Sequence, residues 1–252
     1  MVIIKKERIQ GIPLLHVVKQ QDENAPLPLV IFIHGFESIK ERNVQCAYML
    51  AEKGYRVILP EALYHGERAA EKNIQTEFWK IILTTIHELQ LLKDELEAKS
   101  LILDGRVGLA GTSMGGFVTL GAMLKYDWVK VGVSLMGNPA YVEFANRQIN
   151  YMKEHDFPLP LTEQQIEQTF CMLKEYDATY HLDKWICRPL LFWHGMRDEV
   201  VPYKPAYQFY EDLRSKYAKE NTPLSFILNE KAGHAVPNKG VIDMVEWFAV
   251  HL

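Results

Sequence analysis

Apolar residues along this chain gather in short, nearly unbroken runs more often than they alternate with polar ones. Leu29-Val30-Ile31-Phe32-Ile33 is apolar throughout, and Tyr55 to Leu59, Val107 to Ala110, Val129 to Leu135 and Pro189 to Trp193 share its character. Strands covered on both faces read this way, whereas a half-exposed strand alternates. Helical patterns lie between the runs, over Asn43 to Lys53 with Gly54 as the stop, Gln75 to Lys99, Met114 to Lys125 and Lys204 to Lys219. A last strand near Leu224 to Asn229 precedes a final helix from Gly240 to about Val250. At the other end, Val2 to Ile9 and Pro13 to Lys19 read as two strands turning at Gln10-Gly11-Ile12, followed by a turn at Asp22-Glu23-Asn24. Strands alternating with helices predict an α/β fold, a mostly parallel central sheet with helices on both faces.

The rhythm lapses between residues 139 and 186. No strand pattern appears there, and helical segments are expected over Ala140 to Glu154, Thr162 to Glu175 and Ala178 to Trp185, interrupted by Pro158 and Pro160. The stretch is too short for an independent domain, so residues 1–252 read as one domain with 139–186 as a helical cap insertion. Its place is expected over the carboxyl edge of the sheet; a peripheral decoration is the alternative. Tyr141, Phe144, Tyr151, Met152, Phe157, Phe170, Met172 and Tyr176 supply its aromatic and flexible side chains, which read mostly as packing residues.

Charge narrows the partners. A net charge of -4 and the absence of a Lys/Arg cluster argue against nucleic acid. Cys46, Cys171 and Cys187 are scattered without metal-ligand spacing, which fits a reducing compartment and three small buried apolar groups. The N-terminus carries no signal-peptide pattern, and the longest apolar run falls far short of the roughly 20 residues that span a bilayer. The expectation is a cytoplasmic monomer or homodimer with no membrane partner, no cofactor and no metal.

Chemistry enters at Gly111-Thr112-Ser113-Met114-Gly115, a G-x-S-x-G sequence between an apolar strand and a helix. Such a tight strand-to-helix turn projects the serine hydroxyl from the sheet edge, and small residues two before and two after let strand and helix approach. A neutral hydroxyl is a poor nucleophile, so it needs a base, and the base needs an orienting carboxylate. Asp198 and His234 follow Ser113 in the order serine, acid, histidine, each on a loop just after a strand. Such loops at the carboxyl edge are where open α/β sheets place their sites. Glu199 is the rival acid. His16, His65, His87, His155, His181, His194 and His251 lack these relations, and His34 reads as a loop support. The amides of Phe36 and Met114 are placed to form an oxyanion hole.

These pieces together resemble the α/β-hydrolase superfamily, in particular small serine esterases related to dienelactone hydrolases and to prolyl-oligopeptidase catalytic domains. The matching segments are His34-Gly35-Phe36, Gly111 to Gly115, His194-Gly195 through Asp198 to Val201-Pro202, and Gly233-His234. The resemblance favours Asp198 over Glu199 and implies an acyl-enzyme mechanism. Two departures limit it. Dienelactone hydrolases usually carry a cysteine where Ser113 stands, and prolyl oligopeptidases select peptides with a large propeller for which 252 residues leave no room. A carboxylesterase acting on small or short-chain acyl esters is therefore expected. A thioesterase, a lactonase or an amide hydrolase would use the same triad, and a non-catalytic binding protein on this fold is the remaining alternative. His65, Arg68, Asn138 and Tyr141 are candidate substrate contacts. For the loop Tyr64-His65-Gly66-Glu67-Arg68 a salt-bridged structural role is equally open, and Arg68 is a candidate partner for an anionic substrate group.

Overall fold

The computed structural model describes residues 1–157, 159 and 161–252, so the expected interruption by Pro158 and Pro160 lies outside the described residues. Strands β1 (Val2–Ile9), β2 (Ile12–Lys19), β3 (Leu27–Ile33), β4 (Arg56–Pro60), β5 (Ile102–Thr112), β6 (Val129–Leu135), β7 (Leu190–Gly195) and β8 (Leu224–Asn229) form one sheet in the order β1-β2-β4-β3-β5-β6-β7-β8. Only the β1–β2 and β2–β4 pairings are antiparallel. Helices α1 (Val44–Glu52), α2 (Phe78–Ala98), α3 (Met114–Lys125), α4 (Tyr141–Glu154), α5 (Glu163–Lys174), α6 (Lys204–Lys219) and α7 (Asn238–His251), with several short 3₁₀ turns, accompany the sheet. The expected α/β-hydrolase fold is present.

The central runs are apolar because both faces are covered. In β3, Leu29, Ile31 and Ile33 enter a core with α2, α3 and α6, while Val30 and Phe32 enter a second core with α1 and α7. The period-two alternation of side chains therefore distributes one unbroken run between two cores. β1 differs: it lies at the sheet edge and exposes Lys5 and Lys6.

The expected elements match with three departures. β5 runs beyond Val107–Ala110 to Ile102 and Thr112, passing Asp104 and Gly105 at positive φ and a register shift against β3. The two residues form an irregularity inside the strand. The long helix begins at Phe78, preceded by a 3₁₀ turn over Ile74–Glu77 that Asn73 caps through the Gln75 amide. The third expected helical segment, Ala178 to Trp185, is a single 3₁₀ turn, Ala178–Tyr180, followed by turns. Asp177 accounts for this. Its buried carboxylate accepts from the amides of Thr179 and Val142, which ties this turn to the start of α4. Trp185 then turns inward, donating to the Tyr217 hydroxyl at 3.0 Å.

The cysteines divide: Cys46 is buried, Cys187 is intermediate and Cys171 is exposed, so only the first is fully the buried apolar group expected.

Between β6 and β7, α4 buries its first turns (Tyr141, Val142, Phe144, Ala145), whereas α5 buries only Leu173. Tyr151, Phe157 and Met172 are exposed, so the packing role expected of these aromatic and flexible side chains holds at Tyr141, Phe144 and Tyr176 and fails at those three.

Candidate active site

β5 delivers Ser113 and α3 departs from it. Ser113 has φ 53°, a left-handed conformation costly for a residue with a side chain. Its amide donates to the Leu135 carbonyl at 2.8 Å, which pins the turn to β6. A Cβ on Gly111 would collide with the Gly115 backbone, and one on Gly115 would collide with the Ile33 carbonyl. Strand, helix and the end of β3 therefore meet at a separation only glycine permits.

His234 follows β8 and Asp198 follows β7. The His234 Nε2 lies 2.9 Å from the Ser113 Oγ, and its Nδ1 lies 2.7 Å from the Asp198 Oδ2. The other carboxylate oxygen, Oδ1, accepts from the amides of Val200 at 3.1 Å and Val201 at 2.9 Å. Burial alone would push the Asp198 carboxyl up; the contacts from His194 and His234 and the Val201 amide outweigh it and hold it well below the usual carboxylate range. Asp198 is thus an anion at neutral pH, and His234 Nδ1 is the donor toward it, leaving Nε2 free to accept from the serine. Glu199, the rival acid, is exposed, and its carbonyl accepts from Arg147.

His194 joins the site unexpectedly. Its Nε2 donates to the Val201 carbonyl at 2.8 Å and sits 3.6 Å from the Asp198 Oδ2. The sequence signal was its place four residues before Asp198 at the end of β7.

On the other side of Ser113, two histidines clamp the loop carrying Phe36. His34 is fully buried; its Nδ1 donates to the Gly35 carbonyl at 2.8 Å and its Nε2 accepts from the Ala62 amide at 3.0 Å. Burial pushes its pKa down to about 4, and the acceptor role of Nε2 requires the same neutral form. His65 repeats the arrangement, donating to the Leu63 carbonyl and accepting from the Glu37 amide at 3.1 Å. Beneath them lies an ion cluster that the sequence did not disclose. Lys40 is buried and contacts Glu61 at 2.6 Å, Glu67 at 2.9 Å and Glu41 at 3.2 Å. Glu61, also buried, accepts in addition from the amides of Lys40 and Glu67. Burial would raise Glu61, yet its bonds to Lys40 hold it below the usual range.

Phe36, Phe78, Phe117 and Phe144 continue from this loop as an aromatic wall, with successive ring centroids 5.3, 5.8 and 5.0 Å apart. As the first residue of α3, Met114 has an amide with no partner inside the helix.

The four candidate substrate contacts separate. Tyr141 is corrected: it is fully buried and its hydroxyl donates to the Phe117 carbonyl at 2.5 Å, so it packs α4 onto α3. Arg68 is held by both oxygens of Glu88, at 2.8 and 2.6 Å, and by the Glu61 carbonyl, which is the salt-bridged loop and leaves no fork for a substrate anion. His65 has both ring nitrogens engaged by backbone. Asn138 accepts from the Ala140 amide at 2.8 Å and lines a cleft of about 380 Å³. Among the described residues no helix is long and apolar enough to cross a membrane, and no group of three or more His, Cys, Asp or Glu side chains could hold a metal ion.

Comparison with known proteins gives a consistent picture. The profile of the Prolyl oligopeptidase family matches residues 46–252. YitV of Bacillus subtilis (strain 168), named as a candidate esterase, is 46% identical over 255 residues, covering 100% of both chains. The esterase YjfP of Escherichia coli (strain K12) is 33% identical over 263 residues, again covering 100% of both. Among solved structures, TT1662 from Thermus thermophilus superimposes with a TM-score of 0.73 at 21% identity, covering 98% of this chain and 96% of that one.

Proposed function

The chain belongs to the prolyl oligopeptidase family within the α/β-hydrolase superfamily, and we propose that it is a serine carboxylesterase acting on small or short-chain acyl esters. The observation that carries this reading is the continuous chain of contacts from Ser113 Oγ through His234 to the Asp198 carboxylate, at 2.9 and 2.7 Å. The esterase names of YjfP and YitV support the ester preference.

In this mechanism Ser113 Oγ attacks the ester carbonyl while His234 Nε2 takes its proton. Asp198 holds the ring in the required tautomer and stabilises the imidazolium. Charge developing on the carbonyl oxygen is met by the amides of Phe36 and Met114, the latter at the positive end of the α3 dipole. The alcohol leaves with the proton from His234. Water, deprotonated by the same ring, then releases the acid and restores Ser113. The insertion at 139–186 acts as a partial cap through the first turns of α4, which place Phe144 in the aromatic wall against Phe78 and Phe117.

The test is a panel of p-nitrophenyl esters and matching thioesters of increasing acyl length, with Ser113→Ala as the control. Turnover of short oxygen esters that vanishes in the control is expected. A preference for thioesters would replace the ester assignment, and turnover surviving in Ser113→Ala would remove the mechanism.

A further inference from the structure

The cleft of about 380 Å³ lies where α4, the acid loop and the start of α6 converge. Asn138, Glu143, Phe144, Arg147, Lys204 and Gln208 line it, and none of the triad side chains does. Its walls are nevertheless chain neighbours of the groups that build the triad. Asn138 follows Gly137, which packs against the first turn of α3: a Cβ on Gly116 would stand 2.7 Å from the Gly137 Cα. Phe144 packs on Phe117, whose amide bonds the Ser113 carbonyl. Pro202, also in the lining, directly follows Val201, whose amide holds Asp198.

The cations of this cleft differ from those of the Lys40 cluster and the Arg68 loop. Lys40, Arg68, Lys93 and Lys239 all rest against carboxylates. Among the described residues, neither Arg147 nor Lys204 has a carboxylate at ion-pair distance; Arg147 donates only to the Glu199 carbonyl at 3.2 Å. Glu143 is the one acid in the lining, and it leaves a single positive charge in excess. An Arg fork, a lysine ammonium and the amides of Asn138 and Gln208 suit a planar monoanion better than a dianion.

We propose that this cleft is an anion subsite and that the preferred substrates are esters bearing a carboxylate away from the scissile bond. The assignment rests on the esterase reading of Ser113 and moves the anion-recognition role from Arg68, which Glu88 occupies, to Arg147 and Lys204. Such binding adds nothing to the chemistry; it positions the ester by its remote end.

Two measurements decide it. The first compares p-nitrophenyl pentanoate with the p-nitrophenyl monoester of glutaric acid, and phenyl butanoate with the butanoate ester of 4-hydroxybenzoate. An advantage of about tenfold in kcat/KM is expected for the anionic member of at least one pair, the scale of one charge-assisted pair at a partly exposed site. The ratio should collapse in Arg147→Gln/Lys204→Gln, rise in Glu143→Gln and survive in Arg68→Gln. No anionic advantage in either pair, or one that persists in the double variant, overturns the subsite. The second measurement needs no turnover: calorimetric titration of Ser113→Ala with monomethyl glutarate against dimethyl glutarate. Tighter binding of the monoanion that is lost on adding Arg147→Gln/Lys204→Gln supports the subsite, and equal binding rejects it. Absence of hydrolysis of all four esters by the unaltered enzyme would instead refute the esterase reading, while the titration still decides the cleft.

Discussion

The two flanks of Ser113 are built on opposite principles. On the Phe36 flank, His34, His65, Glu61 and Lys40 are buried, and each polar group is matched by another part of the protein. On the α4 flank, Glu143, Arg147, Lys204 and Gln208 are exposed, and the two cations have no acid partner among the described residues. The first arrangement suits donors that must stay fixed while charge develops, because preorganised groups need not reorient at the moment of reaction. The second suits binding, because an unmatched charge in a cleft is available to a ligand. Rigidity and availability cannot be maximised in the same residues, and here they occupy different sides of Ser113.

The largest effect should come from the proposed triad. Asp198→Asn leaves the packing intact but lets His234 adopt the wrong tautomer, so kcat for a short ester should fall about 10⁴-fold. A fall of less than tenfold would mean that another acid orients His234. The flanks then part company. Lys40→Met leaves Glu61 buried without its partner and should cost about 3–5 kcal/mol of stability by chemical denaturation. Arg147→Gln, by contrast, should stay within about 0.5 kcal/mol, as exposed substitutions usually do. Equal losses would erase the distinction between the flanks.

Acid sharpens the same contrast. His34 is held neutral, with its pKa lowered from 6.5 to about 4, so the folded state binds its proton more weakly than the unfolded chain does. Its contribution to stability is fully present above pH 6.5 and is lost as pH falls toward and through about 4, on the order of 3 kcal/mol in all. Protonation also removes the acceptor for the Ala62 amide. Denaturation midpoints measured between pH 7 and 4 should therefore decline, and His34→Gln should flatten that decline. An unchanged slope in His34→Gln would assign the acid sensitivity to other groups.

What was legible in the sequence follows the same division. Mostly apolar runs located the central strands because burial on both faces favours that composition, and α3, α6, β6 and β8 match their expected limits. The contact between Ser113, His234 and Asp198 was legible because the proposed chemistry requires particular residue types at strand ends. Lys40 and Glu61 were not, since nothing local marks a lysine as buried; only the folded arrangement supplies its three carboxylates. For Arg68 an anion-binding and a salt-bridged role were equally open in sequence, and Glu88 on α2, which fills its fork, decides for the second. Tyr141 failed as a substrate contact for a related reason, because helical periodicity places it on a face without saying what that face meets.

The central claim is that the Ser113 hydroxyl is the activated nucleophile. Treatment with a fluorophosphonate, followed by intact-mass and peptide mass spectrometry, tests it directly. One adduct per chain on the peptide containing Ser113, abolished in Ser113→Ala and strongly slowed in His234→Ala, is the predicted result. An adduct that persists in Ser113→Ala, or ester turnover that continues after Ser113 is fully labelled, would contradict it.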